Sequence, residues 1–236
     1  MVKKSGERFK VHEGVFDDFT LNTLEYLRRK KYFDELGGPI KTGKEGDVYY
    51  VYKDDYIMAA KIYRITSANF KKISSYISRD YRFRNIRGNL RKVILKWVQK
   101  EYRNLSLCHN AGMNVPYAYK YANNVILMEY LNGCMLKDVA LDNPCDFFGL
   151  LLEQLVLMRY EAKIIHADLS EFNVMVCDNV PYIIDLGQGM SIKNHEDFRL
   201  FYDLYERDVS NIVNYFNKRY DLKLNLSEVL ERLESK

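Results

Sequence analysis

At 236 residues the chain can bury a sizeable core, as one two-lobed unit or two small domains. Apolar residues make up 47% and charged residues 29%, the balance of a soluble globular protein, and no apolar run approaches the roughly 18 residues of a membrane span. The net charge of +4 hides an asymmetry: residues 61–105 hold thirteen Lys or Arg against two acids, Asp80 and Glu101, which leaves the rest of the chain at −7 and suggests a polyanionic partner or bound phosphate.

The spacing of Phe19, Leu21, Leu24 and Leu27 predicts a helix over 15–33, with Asp17 and Asp18 at its start. Gly37-Gly38-Pro39 is expected to end that unit, so that residues 1–38 form an N-terminal helical extension. Residues 40–52 place Tyr- and Val-rich runs around a Gly-containing loop, the pattern of a hairpin, and Asp54-Asp55 turns into a strand at 57–63. Residues 66–92 are basic and aromatic without a period; a helix is expected over 93–111 on Val93, Trp97, Tyr102 and Leu105. Residues 125–131 read as a buried strand running into a linker, and 144–163 as a central apolar helix. Two short strands near 174–177 and 181–184 bracket Asp178-Asn179, and helices follow over 195–217 and 227–235. The order is strand-rich first and helix-rich second, an α+β pattern with an N-lobe over 39–131 and a C-lobe over 132–236. The four cysteines are scattered without metal spacing and are expected to be reduced and mostly buried. No apolar leader follows the N-terminal Met-Val-Lys-Lys-Ser-Gly-Glu-Arg, which favours a cytoplasmic protein with no membrane partner.

The residues able to carry chemistry centre on His166-Ala167-Asp168-Leu169-Ser170-Glu171-Phe172-Asn173 and on Asp185-Leu186-Gly187. Phosphoryl transfer from ATP needs a carboxylate to orient the acceptor hydroxyl and oxygen ligands to hold Mg²⁺ on the phosphates. Asp168 fits the first role; Asn173 and Asp185 fit the second, and an Asp with Asn five residues on and then Asp-x-Gly after a strand is the kinase arrangement. The competing reading makes Asp168-Leu-Ser-Glu a helix-capping box. His166 is expected to orient the loop. Lys61 interrupts an apolar strand, where a lysine is costly unless paired; it can hold the ATP phosphates with Glu101 positioning it, or sit in water on an edge strand. The loop Thr42-Gly43-Lys44-Glu45-Gly46-Asp47 is a weak phosphate-loop signal, since Gly43 and Gly46 allow close backbone approach but an ordinary hairpin turn reads the same way. In the basic segment 64–92, Phe70, Tyr76, Tyr81 and Phe83 interleave with Lys and Arg, a pattern that suits RNA as well as a solvated loop.

At these residues the chain resembles the RIO family of atypical serine/threonine protein kinases. His-Ala-Asp-Leu-Ser-Glu-Phe-Asn is similar to that family's catalytic loop, Thr-Gly-Lys-Glu-Gly-Asp-Val-Tyr to its short phosphate loop, and Ala-Ala-Lys-Ile-Tyr to its ATP-lysine strand. Glu-Tyr-Arg-Asn-Leu is similar to its regulatory helix and Arg207-Asp208-Val209-Ser210-Asn211-Ile212 to its closing helix. Thr-Gly-Lys-Glu and Lys-Ile-Tyr resemble the type-one branch, with Gly46 in place of the usual alanine. The resemblance implies a bilobal protein-kinase-like fold and a flexible loop about 66–92. It implies an ATP and Mg²⁺ site (Mn²⁺ as a substitute) made by Thr42, Gly43, Lys44, Lys61, Glu101, Asn173 and Asp185, with Glu129 and Leu131 meeting adenine through their backbones. It further implies autophosphorylation, ATP hydrolysis with an aspartyl-phosphate at Asp185, and a role in small ribosomal subunit maturation through the pre-small-subunit particle and its RNA.

Only 51 of the 236 residues follow Asp185 and no Ala-Pro-Glu appears among them, so the C-lobe is expected to lack an activation loop and peptide-binding helices. Two other readings compete. One is the small kinase of the tRNA-threonylcarbamoyl complex, whose loop reads His-Gly-Asp-Leu-Thr-Thr-Ser-Asn. The other is a non-catalytic scaffold that binds RNA through the basic segment.

Overall fold

The computed structural model describes residues 15–43, 45–65, 80, 90–193 and 195–235, so Lys44 and most of the basic segment 66–92 lie outside the described residues. Helix α1 (Asp18–Arg29) opens on Asp17, whose side chain accepts from the Thr20 amide, and carries Arg28 and Arg29 in its last turn. Strands β1 (Glu35–Thr42), β2 (Gly46–Lys53) and β3 (Tyr56–Tyr63) follow as an antiparallel meander. After the long helix α2 (Leu90–Asn110), strands β4 (Ala118–Ala122) and β5 (Val125–Glu129) complete a five-stranded sheet in the order β1-β2-β3-β5-β4.

Period-two alternation decides what this sheet does. Met58, Ala60 and Ile62 of β3 join Tyr49, Val51, Val125 and Leu127 in a core closed by Leu24 and Leu27 of α1 and by Phe33. The opposite face sends Tyr63 and Ile126 against Val93, Ile94, Trp97 and Val98 of α2. Lys61 shares that second face.

Beyond β5, Gly133 leads to β6 (Cys134–Met135), a 3₁₀ turn (Leu136–Asp138) and α3 (Pro144–Tyr160), which starts on the Asn143 cap with proline in its first turn. Strand β7 (Ile164–Ile165) pairs with β10 (Met190–Ser191); β8 (Val174–Cys177) and β9 (Val180–Ile183) form a hairpin beside β6. Helices α4 (His195–Leu200), α5 (Tyr202–Tyr220) and α6 (Leu226–Glu234) close a second core around Leu151, Leu155, Ile165, Val209, Phe216 and Leu230.

Several expectations change. Gly37-Gly38-Pro39 lies inside β1, so the expected end of the extension after Gly38 falls within a strand; β1 is a sheet edge, where proline's missing donor is tolerated, and the register slips around Pro39. Strand β4 was not anticipated, being a half-exposed edge whose tyrosines alternate with small or basic residues. The helix expected to 163 stops at Tyr160, where the Ala162 amide turns back to Leu157 O and Lys163 takes a left-handed conformation (φ 55°). The helix expected over 195–217 is interrupted at Phe201 (φ −109°, ψ 12°). All four cysteines are free, but Cys134 and Cys145 are exposed, because one starts the short strand β6 and the other sits in the first turn of α3. No described helix is long and apolar enough to cross a membrane.

Candidate active site

Strand β3 and helix α2 bring the first half of the site together. Lys61 Nζ donates to Glu101 Oε1 at 2.7 Å and to Asp185 Oδ1 at 3.0 Å, so residues 124 positions apart share one ammonium. Glu101 is 1% exposed, and its Oε2 has no partner among the described residues. Lys61 is nearly enclosed, whereas 46% of the Asp185 side chain opens to solvent. Burial works against the Lys61 charge, but the carboxylates of Asp185 and Glu101 outweigh it and hold the ammonium above its ordinary range. Burial pushes Glu101 up to about 7, against the pull of Lys61. Asp185 lies below the ordinary carboxylate range: its partial burial opposes ionisation, and Lys61, with His166 and Lys41 further off, overcomes that opposition. An ammonium has three N–H donors. The third remains for a phosphate oxygen.

The β7–β10 pairing lays the second half beside it. Residues 166–173 form an irregular loop rather than a helix, which removes the capping-box reading of Asp168. His166 Nε2 lies 3.0 Å from Ile184 O; a carbonyl only accepts, so Nε2 carries the proton and the ring ties the two loops. Asn173 Nδ2 donates to Asp168 O at 2.7 Å, and the Ile184 amide donates to Asn173 O at 3.0 Å. The Asn173 side-chain amide thus spends its nitrogen on Asp168 O, while its backbone is tied to the residue before Asp185. Ala167 and Asp185 are both left-handed (φ 64° and 63°), conformations that a side chain resists unless its surroundings impose them.

The surroundings that impose them include Arg207, Asp208 and Asn211, which the sequence offered only as part of a resembled closing helix, and Trp97, Lys100 and Asn104, to which it gave no polar role. Asp208 of α5 accepts from the Ala167 amide at 2.6 Å and the Leu169 amide at 2.9 Å; Arg207 donates to Ala167 O, and Asn211 donates to Leu169 O at 2.9 Å. Burial raises Asp208 to about 6, against His166, the two amides and Arg207. From α2, Lys100 Nζ donates to Gly187 O at 2.8 Å, and Asn104 Nδ2 donates to Leu186 O and Gly189 O at 2.8 and 3.0 Å. The indole of Trp97 lies on Gly187, where an added Cβ would come within 2.8 Å of the ring. The available signal was polar residues at 100, 101 and 104 interrupting the apolar face of a helix.

The remaining expected residues are placed less closely. Gly43 N donates to Asp47 Oδ1 at 3.1 Å, and Asp47 is held by a bidentate Arg64, so the β1–β2 loop beside Thr42 is braced from the end of β3. Gly46 owes its small size to β3: an added Cβ would lie 2.4 Å from Ile62 O, so the alanine usual in the resembled family has no room. At the lobe connection, the Glu129 amide donates to Tyr117 O at 2.8 Å and its side chain accepts from the Tyr117 amide. Leu131 O accepts from Gly133 N, while the Leu131 amide has no partner among the described residues. Of the basic segment, Arg64 serves Asp47, and Arg91 lies 4.7 Å over the Phe19 ring.

Among the described residues no cluster of three or more His, Cys, Asp or Glu converges on a metal. One carboxylate and one amide oxygen suit Mg²⁺, which keeps few protein ligands and takes the rest from phosphates and water. The donor set thus fits ATP with magnesium.

The RIO domain matches this chain over residues 47–229. The chain belongs to the RIO family. It is an atypical protein kinase, and its phosphoryl donor is ATP. Among curated RIO relatives, the RIO-type serine/threonine-protein kinase Rio1 of Haloferax volcanii is 34% identical over 92% of this chain and 75% of its own length. The Rio1 of Methanocaldococcus jannaschii is 33% identical with the same coverages. The human serine/threonine-protein kinase RIO1 is 28% identical over 98% of this chain and 41% of its own length. The RIO fold also aligns with the Rio2 kinase–ADP/Mg²⁺–phosphoaspartate complex from Chaetomium thermophilum, with a TM-score of 0.67 at 21% identity over 88% of this chain and 64% of that one.

Proposed function

We propose that this RIO kinase, of the type-one branch, transfers the γ-phosphoryl group of Mg-ATP to serine or threonine hydroxyls, its own included, hydrolyses ATP, and acts in the cytoplasm on the maturing small ribosomal subunit. The observation that carries the catalytic reading is the Lys61 ammonium joining Glu101 and Asp185. Lys61 binds phosphate oxygens and Glu101 fixes its position. Asp168 orients the acceptor hydroxyl or a water and takes up its proton. Asp185 and Asn173 hold Mg²⁺, or Mn²⁺ with its similar taste for oxygen, which supplies positive charge to the phosphates. The Leu131 amide and the Glu129 carbonyl meet adenine, while Thr42, Gly43 and Lys44 cover the phosphates.

The phosphoaspartate in the Rio2 complex supports a second fate for the phosphoryl group. A carboxylate oxygen of Asp185 forms a bond to phosphorus as the bond to ADP breaks, and water later releases phosphate. The ribosomal role rests on the family resemblance and on the basic segment 64–92, whose Lys and Arg side chains suit RNA phosphates. From Asp185 the chain runs directly into β10 at Met190 and α4 at His195, which leaves no long activation loop there and favours an ATP-driven switch over processing of extended peptides.

The test is the pair Asp168→Asn and Asp185→Asn. Each is expected to lower autophosphorylation and ATP hydrolysis by more than about 10²-fold. Wild-type rates in both would refute the catalytic reading.

A further inference from the structure

Gln188 follows the Asp185-Leu-Gly sequence and is 7% exposed. Its Nε2 donates to Asp168 Oδ2 at 2.6 Å, and its Oε1 is buried without a partner among the described residues. The backbone around it is fixed from α2: Leu186 O and Gly189 O accept from Asn104, and Gly187 O accepts from Lys100. Gln188 therefore sends its side chain to Asp168 from a loop anchored on both sides of it.

We infer that Gln188 is a positioning residue for phosphoryl transfer, its amide fixing the plane of the Asp168 carboxylate. The inference rests on the reading of Asp168 as the group that orients the acceptor. The torsion that turns an aspartate carboxylate is broad and roughly two-fold, so packing alone leaves its plane loose. A donor on one oxygen sets the plane and aims the other lone pairs. A neutral amide does this without cancelling the charge, as an ammonium there would. A buried acceptor without a partner costs stability, so Oε1 is hard to explain by folding alone. The same helix that holds Lys61 through Glu101 thus also sets Asp168, through the loop 186–189.

The test compares Gln188→Met, which keeps the volume and loses the donor, with Gln188→Glu, which keeps the shape and sets an acceptor against Asp168. In the full chain, Gln188→Met is expected to lower the maximal autophosphorylation rate about 10- to 100-fold, with KM for ATP and Mg-ADP affinity within about two-fold of wild type. Gln188→Glu falls further despite its closer shape. In an Asp168→Asn background, Gln188→Met has no additional effect. A full rate in Gln188→Met beside an inactive Asp168→Asn overturns the role of Gln188 alone, whereas a full rate in Asp168→Asn overturns the reading beneath it. Equal losses of rate and Mg-ADP affinity also overturn the inference, as they indicate a collapsed site. If Gln188→Met melts at assay temperature, Gln188→Glu decides: a retained rate refutes the role.

Discussion

Asp208 illustrates how one side chain can hold a strained loop. Ala167 sits at φ 64°, a region that costs an alanine about 1 kcal/mol or more. Its amide and that of Leu169 both end on the Asp208 carboxylate. Burial raises Asp208 to about 6, so between the unfolded value of about 4 and that pH the folded chain binds more protons than the unfolded one. The stability tied to this group is present below about pH 4 and is lost as pH rises through about 6. Denaturant melts from pH 4 to 7 should show wild type losing up to about 3 kcal/mol relative to Asp208→Asn across that window. Parallel curves would rule this out. The sequence offered Asp208 only as part of a helix similar to the family's closing helix. Its partners are backbone amides some forty residues away, which no local spacing reveals.

Helix α2 is the element that assembles the site. Trp97, Lys100, Glu101 and Asn104 follow one another at i, i+3, i+4 and i+7, so one stripe meets the segment after Asp185 and, through Glu101, Lys61. Replacing Asn104 with alanine leaves Leu186 O and Gly189 O without their side-chain donor. A loss of about 2 kcal/mol is expected in denaturant melts, with a slower maximal rate, against no more than about 0.5 kcal/mol for Lys96→Ala on the exposed face. Equal effects of the two would contradict this account. Lys61, Asp168, Asn173 and Asp185 stood out as candidates in sequence because phosphoryl transfer calls for those residue types, and the structure joins Lys61 to Asp185 and Asn173 to the Asp168 backbone. The hairpin β1–β2, strand β3 and helix α2 were legible because their apolar periods are clear. Strand β4 and the Gly37–Pro39 stretch of β1 were not, since edge strands lack a buried period. Lys100 and Asn104 look like solvated positions until the loop they bind is in place.

At the scale of the molecule, α2 bridges the sheet and the helical core. Val93, Ile94, Trp97 and Val98 pack under the five-stranded sheet, Leu105 and Cys108 join the helical core, and Tyr102 touches both. A nucleotide held at Lys61, as proposed, would therefore stabilise sheet and helices together. At 100 times its Kd, Mg-ADP should add about 2.7 kcal/mol, a rise of roughly 5–10 °C in Tm for a chain of this size. Lys61→Met should lose most of that rise. An unchanged rise in the variant would remove Lys61 from the nucleotide site.

The clamp on Ala167 and Leu169 also sets an order of events during synthesis. Every proposed phosphate, metal and catalytic residue precedes Arg207 in the chain, yet the loop bearing Asp168 is held by Arg207, Asp208 and Asn211. A nascent chain whose α5 is still inside the ribosome would carry the whole chemical inventory on an unfastened loop. Emergence of α5 from the exit tunnel is therefore required before translation can deliver a competent kinase.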